Sequence, residues 1–389
     1  MRASRVSIGA SAGGDTRMMD RPRRGSLDVA EPDDATEVPD GASDTDRRTR
    51  ALDARARGAR PRSAEWAGTR RRLLAAIAAP HPLLWLTTLA LVVLDAVWLH
   101  RAGIRLDPLA PLGVAALVAV LLAVAACLGP IKSEPSLREM ALASASLIAF
   151  TVPVAILHYA AATLRLPLID HALARAERAL GFDWPTYLAW LNLHPDLNWW
   201  LSLAYHTSGP QIAVVVIVLA ATRRLGRLWA FVRLFCATLL CVVVVSAVLP
   251  AVGAYAHYAP AELPVAGIET VGALWHLDAL ERLRAGTFDT LVLGDVRGLV
   301  TFPSFHVCLA ILTAWALAPV RFVGAPALLL NGAVIVATLG SGGHYLPVLL
   351  AGAAVAGAGL LVHRGRRQGL ARRPVRPVSA GVMRPSPIA

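Results

Sequence analysis

The chain of 389 residues is 56% hydrophobic and only 16% charged, and its mean hydropathy of +0.55 is too high for a soluble globular protein of that length. Its formal net charge of +12 gathers in arginine clusters beside apolar blocks. That is where topology determinants and anionic-lipid contacts lie, which argues against a nucleic-acid binder. The cysteines Cys127, Cys236, Cys241 and Cys308 all fall in apolar stretches without metal-ligand spacing and read as packed thiols.

Residues 1–70 show no apolar periodicity. An acidic stretch from Asp28 to Asp46 gives way to an arginine-rich one from Arg47 to Arg72, a composition that cannot bury enough apolar area to offset chain entropy. A disordered, charged cytoplasmic tail is expected, and the segment lacks the early apolar region of a secretory signal. N-terminal transmembrane spans follow within 71–164, near 83–100, 109–128 and 140–164. Asp95, inside the first, is expected to pair with a neighbouring helix. A larger core within 165–365 holds further apolar blocks near 199–221, 228–250, 304–320, 323–340 and 345–363. Each is close to the roughly 20 residues that a helix needs to cross a bilayer. The expected fold is therefore all-α: a polytopic membrane helix bundle of about eight spans. Residues 366–389, with repeated Arg and Pro, read as a second, basic, disordered tail.

Two longer connections, 165–198 and 251–303, separate these blocks. The first has helical apolar spacing, and its Trp184, Trp190, Trp199 and Trp200 suit a helix at headgroup level. Three arginine clusters agree on one orientation: the N-terminal tail, the loop Thr222–Arg227 and the segment His363–Arg367. Both termini are then cytoplasmic, and the long connections lie outside. The expectation is a multi-pass protein of the cell (inner) membrane with an extracytoplasmic active site.

Chemistry concentrates in two segments, Thr301–Val307 and Ser341–Tyr345. His306 and His344 are 38 residues apart, about two membrane crossings, so both imidazoles return to the same face. Each also sits at an outward-pointing helix start, where free N–H groups and the positive end of the helix dipole favour an anion. Pro303 suits a first-turn position, and Gly342 and Gly343 allow close approach of the backbone. Two histidines flanking an anion are equipped for phosphoryl transfer, one attacking phosphorus and the other protonating the leaving oxygen. Tyr205, His206, Gln211 and Tyr345, with His158 and Tyr159, are candidates either for a head-group pocket or for capping and interhelical bonding. No metal or other cofactor is implied, since no Asp/Glu cluster of the Mg²⁺ type is present.

Phe302–Ile311 and Thr338–Gly352 resemble the second and third motifs of the type 2 phosphatidic acid phosphatase superfamily. The closer similarity is to its inositol phosphotransferase branch, that of the inositol phosphorylceramide synthases, with Leu180–Trp184 and Ala204–Gln211 resembling upstream segments of that branch. The resemblance covers roughly residues 165–355. It implies that His344 is the nucleophile and His306 the general acid, and that Ser304, Gly343 and the backbone after Pro303 hold the phosphate of a membrane lipid. The superfamily's first motif is not visible, leaving Arg282, Arg284 and Arg297 as candidate phosphate ligands with forked geometry. Val348 stands where the family places an Asp four residues after the second His, and Thr338 stands where an Arg is usual. Asp289 or Asp295 could replace the missing acid. The alternative is a catalytically degenerate member of the same fold that binds or moves lipid.

Overall fold

The computed structural model describes residues 81–128, 134–259, 276–299 and 301–371. The charged N-terminal tail expected over 1–70, and the C-terminal segment from 372 onward, lie outside the described residues.

The described chain is an all-α bundle. In order, its helices are α1 Pro82–Ala102, α2 Leu109–Leu128, α3 Pro135–Ala162, α4 Asp170–Ala179, α5 Trp184–Asn192, α6 Pro195–His206, α7 Ser208–Ala221, α8 Leu225–Val248, α9 Ala254–Tyr258, α10 Leu277–Ala285, α11 Phe305–Leu317, α12 Gly324–Gly340 and α13 Leu346–Ala371. Two short strands, β1 Arg105–Leu106 and β2 Thr290–Leu291, pair in parallel and tie the α1–α2 loop to the segment before α11.

All eight apolar blocks of the sequence are helical, but they do not cross alike. Helices α1, α2, α3, α8 and α13 are each long and apolar enough to span a membrane. The α6–α7 pair forms a sixth apolar run, bent by 50°. At that bend the Ser208 hydroxyl donates to the Tyr205 carbonyl at 2.7 Å and the Thr207 hydroxyl to the Ala204 carbonyl at 2.6 Å, so the carbonyls beside the break stay satisfied without water. Helices α11 and α12 have only 13 and 17 residues, about 20 and 26 Å at 1.5 Å per residue. Residues 301–304, just before His306, and 341–345, which include His344, remain outside regular helix.

Buried side chains of α1, α2, α3, α7, α8 and α11 share the main core, in which Phe231, Leu228 and Leu312 are inaccessible. On α3 the buried Ala141, Ala143 and Ala145 permit the close helix approach typical of membrane bundles. Asp95 is buried in α1 with neither carboxylate oxygen partnered among the described residues, contrary to the expected pairing. A separate cluster joins α4, α5, the 251–255 turn and the start of α13 through Leu173, Trp184, Tyr255, Tyr345 and Val348. Trp184 is thus a core residue whose Nε1 donates to the Leu339 carbonyl at 2.9 Å. Only Trp190, Trp199 and Trp200 keep the exposure expected of interfacial residues.

Candidate active site

Short backbone links bring the two histidine motifs together. Ser304 N–H donates to the Val348 carbonyl at 3.3 Å, and Cys308 Sγ donates to the Gly352 carbonyl at 3.1 Å, so the starts of α11 and α13 lie side by side. Ser304 is the N-cap of α11, its hydroxyl accepting from Val307 N–H at 3.4 Å. Pro303 therefore precedes the cap, on a cis peptide bond, and does not occupy the first helical turn as its sequence context suggested. His306 is the second residue of α11, and His344 lies two residues before α13 begins.

Both imidazoles line one cavity of about 340 Å³. Tyr205 of α6 fixes His306 twice: the rings stack with centroids 4.4 Å apart, and the Tyr205 hydroxyl lies 3.2 Å from His306 Nδ1. A phenolic hydroxyl can donate to the neutral ring or accept from the charged one, so this orientation survives a proton transfer. Nε2 of His306 is left without a protein partner among the described residues.

His344 is held by its backbone. Its N–H donates to the Thr338 carbonyl at 3.3 Å. A Cβ at Gly342 would lie 2.6 Å from its ring, and one at Gly343 (φ 62°) would meet the Tyr255 ring at 2.5 Å. Only glycines let that turn close under the imidazole. Burial, and then the neighbouring His306 ring, push the His344 imidazole well below the ordinary histidine range, against a smaller opposing pull from the Thr301 backbone. That shift favours the neutral ring, the nucleophilic form. Its Nδ1 is buried with no hydrogen-bond partner among the described residues. Neither Asp289 nor Asp295 supplies the missing carboxylate, and Val348 lies fully buried in the apolar cluster.

Two carboxylates of α4 carry the turn instead. Asp170 accepts from Val252 N–H at 3.0 Å, Gly253 N–H at 2.9 Å and the Tyr345 hydroxyl at 3.0 Å. Ala254 N–H in turn donates to the Gly343 carbonyl at 2.8 Å. Glu177 accepts from Leu346 N–H at 2.7 Å at the start of α13. Sequence reading missed both, although they are seven residues apart, on the face of α4 that buries Leu173 and Ala174. Acids on an apolar stripe were the available signal. His276, also missed, lines the cavity, with its Nε2 3.1 Å from the Val252 carbonyl.

Of the arginines, only Arg297 lines the cavity, exposed at its edge, with its backbone N–H donating to the Tyr159 hydroxyl at 2.8 Å. Arg284 donates to the Leu166 carbonyl, and Arg282 lies 3.9 Å from Asp278 and over the Phe288 ring. His206 is exposed on α6. Gln211 accepts from Asn331 of α12 and donates to the Thr207 hydroxyl at the start of its own helix, and Tyr345 is committed to Asp170. His158 does line the cavity, 3.3 Å from the Ser246 hydroxyl. The rest of the wall is largely apolar, with Val154 of α3 and Leu239, Val242 and Val243 of α8. Among the described residues, no three His, Cys, Asp or Glu side chains converge as a metal site.

The two histidines thus share one cavity whose remaining wall, between helices, is largely apolar. Residues 171–362, which contain both histidine motifs and most of the cavity, match the family model of the PAP2 superfamily. No curated protein and no solved structure matches the chain.

Proposed function

We propose that the protein is a membrane-embedded lipid phosphatase or phosphotransferase acting on a lipid phosphoester at the extracytoplasmic face, with both termini cytoplasmic. The observation that carries this reading is the pair His306 and His344 on one amphipathic cavity. The neutral His344 imidazole attacks phosphorus, the P–O bond to the leaving group breaks, and His306 delivers the proton that the leaving oxygen takes up. Water, or a hydroxyl of an inositol-type or lipid acceptor, then attacks phosphorus and gives its proton to His306, while the P–N bond to His344 breaks, which restores both histidines. Arg297, which lines the same cavity, steadies the phosphate in this reading. Arginine-rich flanks contact anionic lipid on the cytoplasmic side.

The test is phosphate release from phosphatidic acid and isoprenyl phosphates by protein in detergent, with acid-quenched trapping of the labelled intermediate. His344→Ala is expected to give no intermediate, and His306→Ala to slow its formation by roughly 10²- to 10⁴-fold, the usual worth of a positioned proton donor. Turnover that survives both substitutions together would overturn the mechanism. Tyr205→Phe, which removes one hydrogen bond and keeps the stacked ring, is expected to lower kcat by about tenfold or less at unchanged KM. An unaltered kcat would remove Tyr205 from the orientation of His306.

One observation favours a second reading. The unpartnered Nδ1 of His344, with Val348 four residues on in place of a carboxylate, fits a degenerate member of the fold that binds or moves lipid without cleaving it. Specific lipid binding with no turnover in any of these assays would select it.

A further inference from the structure

A second cavity, of about 510 Å³, lies where the ends of α1, α3 and α10 meet. Its apolar wall is formed by Leu94, Val97 and Trp98 of α1 and by Phe288. Leu94 and Val97 are 43% and 46% exposed on a helix long and apolar enough to cross the membrane, so this wall continues onto that helix's exposed apolar surface. Trp98 Nε1 is anchored to the Thr163 hydroxyl at 3.2 Å. Two guanidiniums line the same cavity: Arg101, in the last turn of α1, and Arg165, which follows α3 in a left-handed backbone conformation at φ 56°. Neither side chain makes a hydrogen bond or ion pair among the described residues.

Basic residues at helix C-termini often do no more than offset the helix dipole. Here the carbonyls at two of those ends are already taken by backbone donors: Gly103 and Ile104 N–H cap α1, and Gly286 N–H caps α10. The positive charge therefore faces a cavity with an apolar wall. A small third cavity shares Arg165 with this one and His158 and Ser246 with the histidine cavity.

We infer that this cavity binds the headgroup of an anionic phospholipid, with its phosphate between Arg101 and Arg165, its glycerol region against Trp98 and its acyl chains along Leu94 and Val97. A free phosphate ion would use the guanidiniums and ignore the apolar wall, so a lipid is the fitting occupant. The site is independent of His306 and His344, and it stands whether or not those residues cleave phosphoesters.

Delipidated full-length protein titrated with phosphatidylglycerol or phosphatidylcholine, and read by native mass spectrometry, tests this directly. Wild type is expected to bind one phosphatidylglycerol that the Arg101→Gln/Arg165→Gln variant binds on the order of tenfold more weakly, as loss of two interfacial charges implies. Phosphatidylcholine binding is expected to be unchanged. Arg105→Gln, which removes an exposed charge nearby but outside the cavity, is expected to behave as wild type. His306→Ala/His344→Ala is expected to keep the bound lipid. Equal phosphatidylglycerol binding by wild type and the double arginine variant, equal losses for both lipids, or an equal loss in Arg105→Gln would each overturn the assignment.

Discussion

Val348→Asp is expected to raise phosphoester turnover by at least two orders of magnitude. Nδ1 of His344 is buried and unpartnered, and among the described residues no carboxylate steadies the charge the ring gains on attacking phosphorus, the small opposing pull of the Thr301 backbone aside. In another histidine-based enzyme, loss of the carboxylate that does this costs about 10⁴ in kcat. Position 348 lies four residues after His344, in the first turn of α13, where a carboxylate also complements the helix dipole. The opposing term is burial. Val348 is inaccessible within an apolar cluster, and a charge placed there is costly unless paired. His344 offers that pairing and would have its own basicity raised towards the ordinary range. Steady-state turnover of wild type, Val348→Asp and Val348→Asp/His344→Ala decides the matter, with the gain expected to vanish in the last. Turnover in Val348→Asp no higher than wild type, in protein that still folds, would mean that orientation of His344 does not limit this enzyme.

Asp170→Ala is expected to be the most destabilising single change near the site, by about 3–5 kcal/mol. Hydrogen bonds to a charged group contribute roughly 1.5–3 kcal/mol each and do not add fully. Asp170 makes three, to Val252 N–H, Gly253 N–H and the Tyr345 hydroxyl. Truncation leaves those donors buried without partners and loosens the turn on which Ala254 N–H holds the Gly343 carbonyl. Asp170→Asn keeps one acceptor oxygen and should cost less. Thermal unfolding of the detergent-purified protein gives the order wild type, Asn, Ala in falling melting temperature. A melt of Asp170→Ala indistinguishable from wild type would show that the 251–254 turn is held by its apolar contacts alone.

Much of the site was legible because its signals are local. The spacing of His306 and His344 led to the expectation that they meet, and both line one cavity, while the glycines before His344 announce a tight turn. Arg282 and Arg284 looked equivalent to Arg297 because all three occupy the same connection. Their partners come from elsewhere, Asp278 and Phe288 for one and the Leu166 carbonyl for the other. Trp184 likewise shares a composition signal with Trp190, yet it is buried against Leu339, Tyr255 and Tyr258. The absence of a carboxylate four residues after His344 was plain in the chain, whereas the unpartnered Nδ1 it leaves was not.

By itself the sequence determined a membrane-spanning all-α chain, its apolar blocks, and two imidazoles at neighbouring helix starts, because span length and hydrophobic composition act along the chain. Only the tertiary structure decided that Tyr205 holds His306, that α4 supplies the acids supporting the His344 turn, and that one arginine of three reaches the cavity. Several of those contacts join residues more than a hundred positions apart, such as Tyr205 with His306 and Asp170 with Tyr345. Helix packing, rather than local pattern, sets which of them meet.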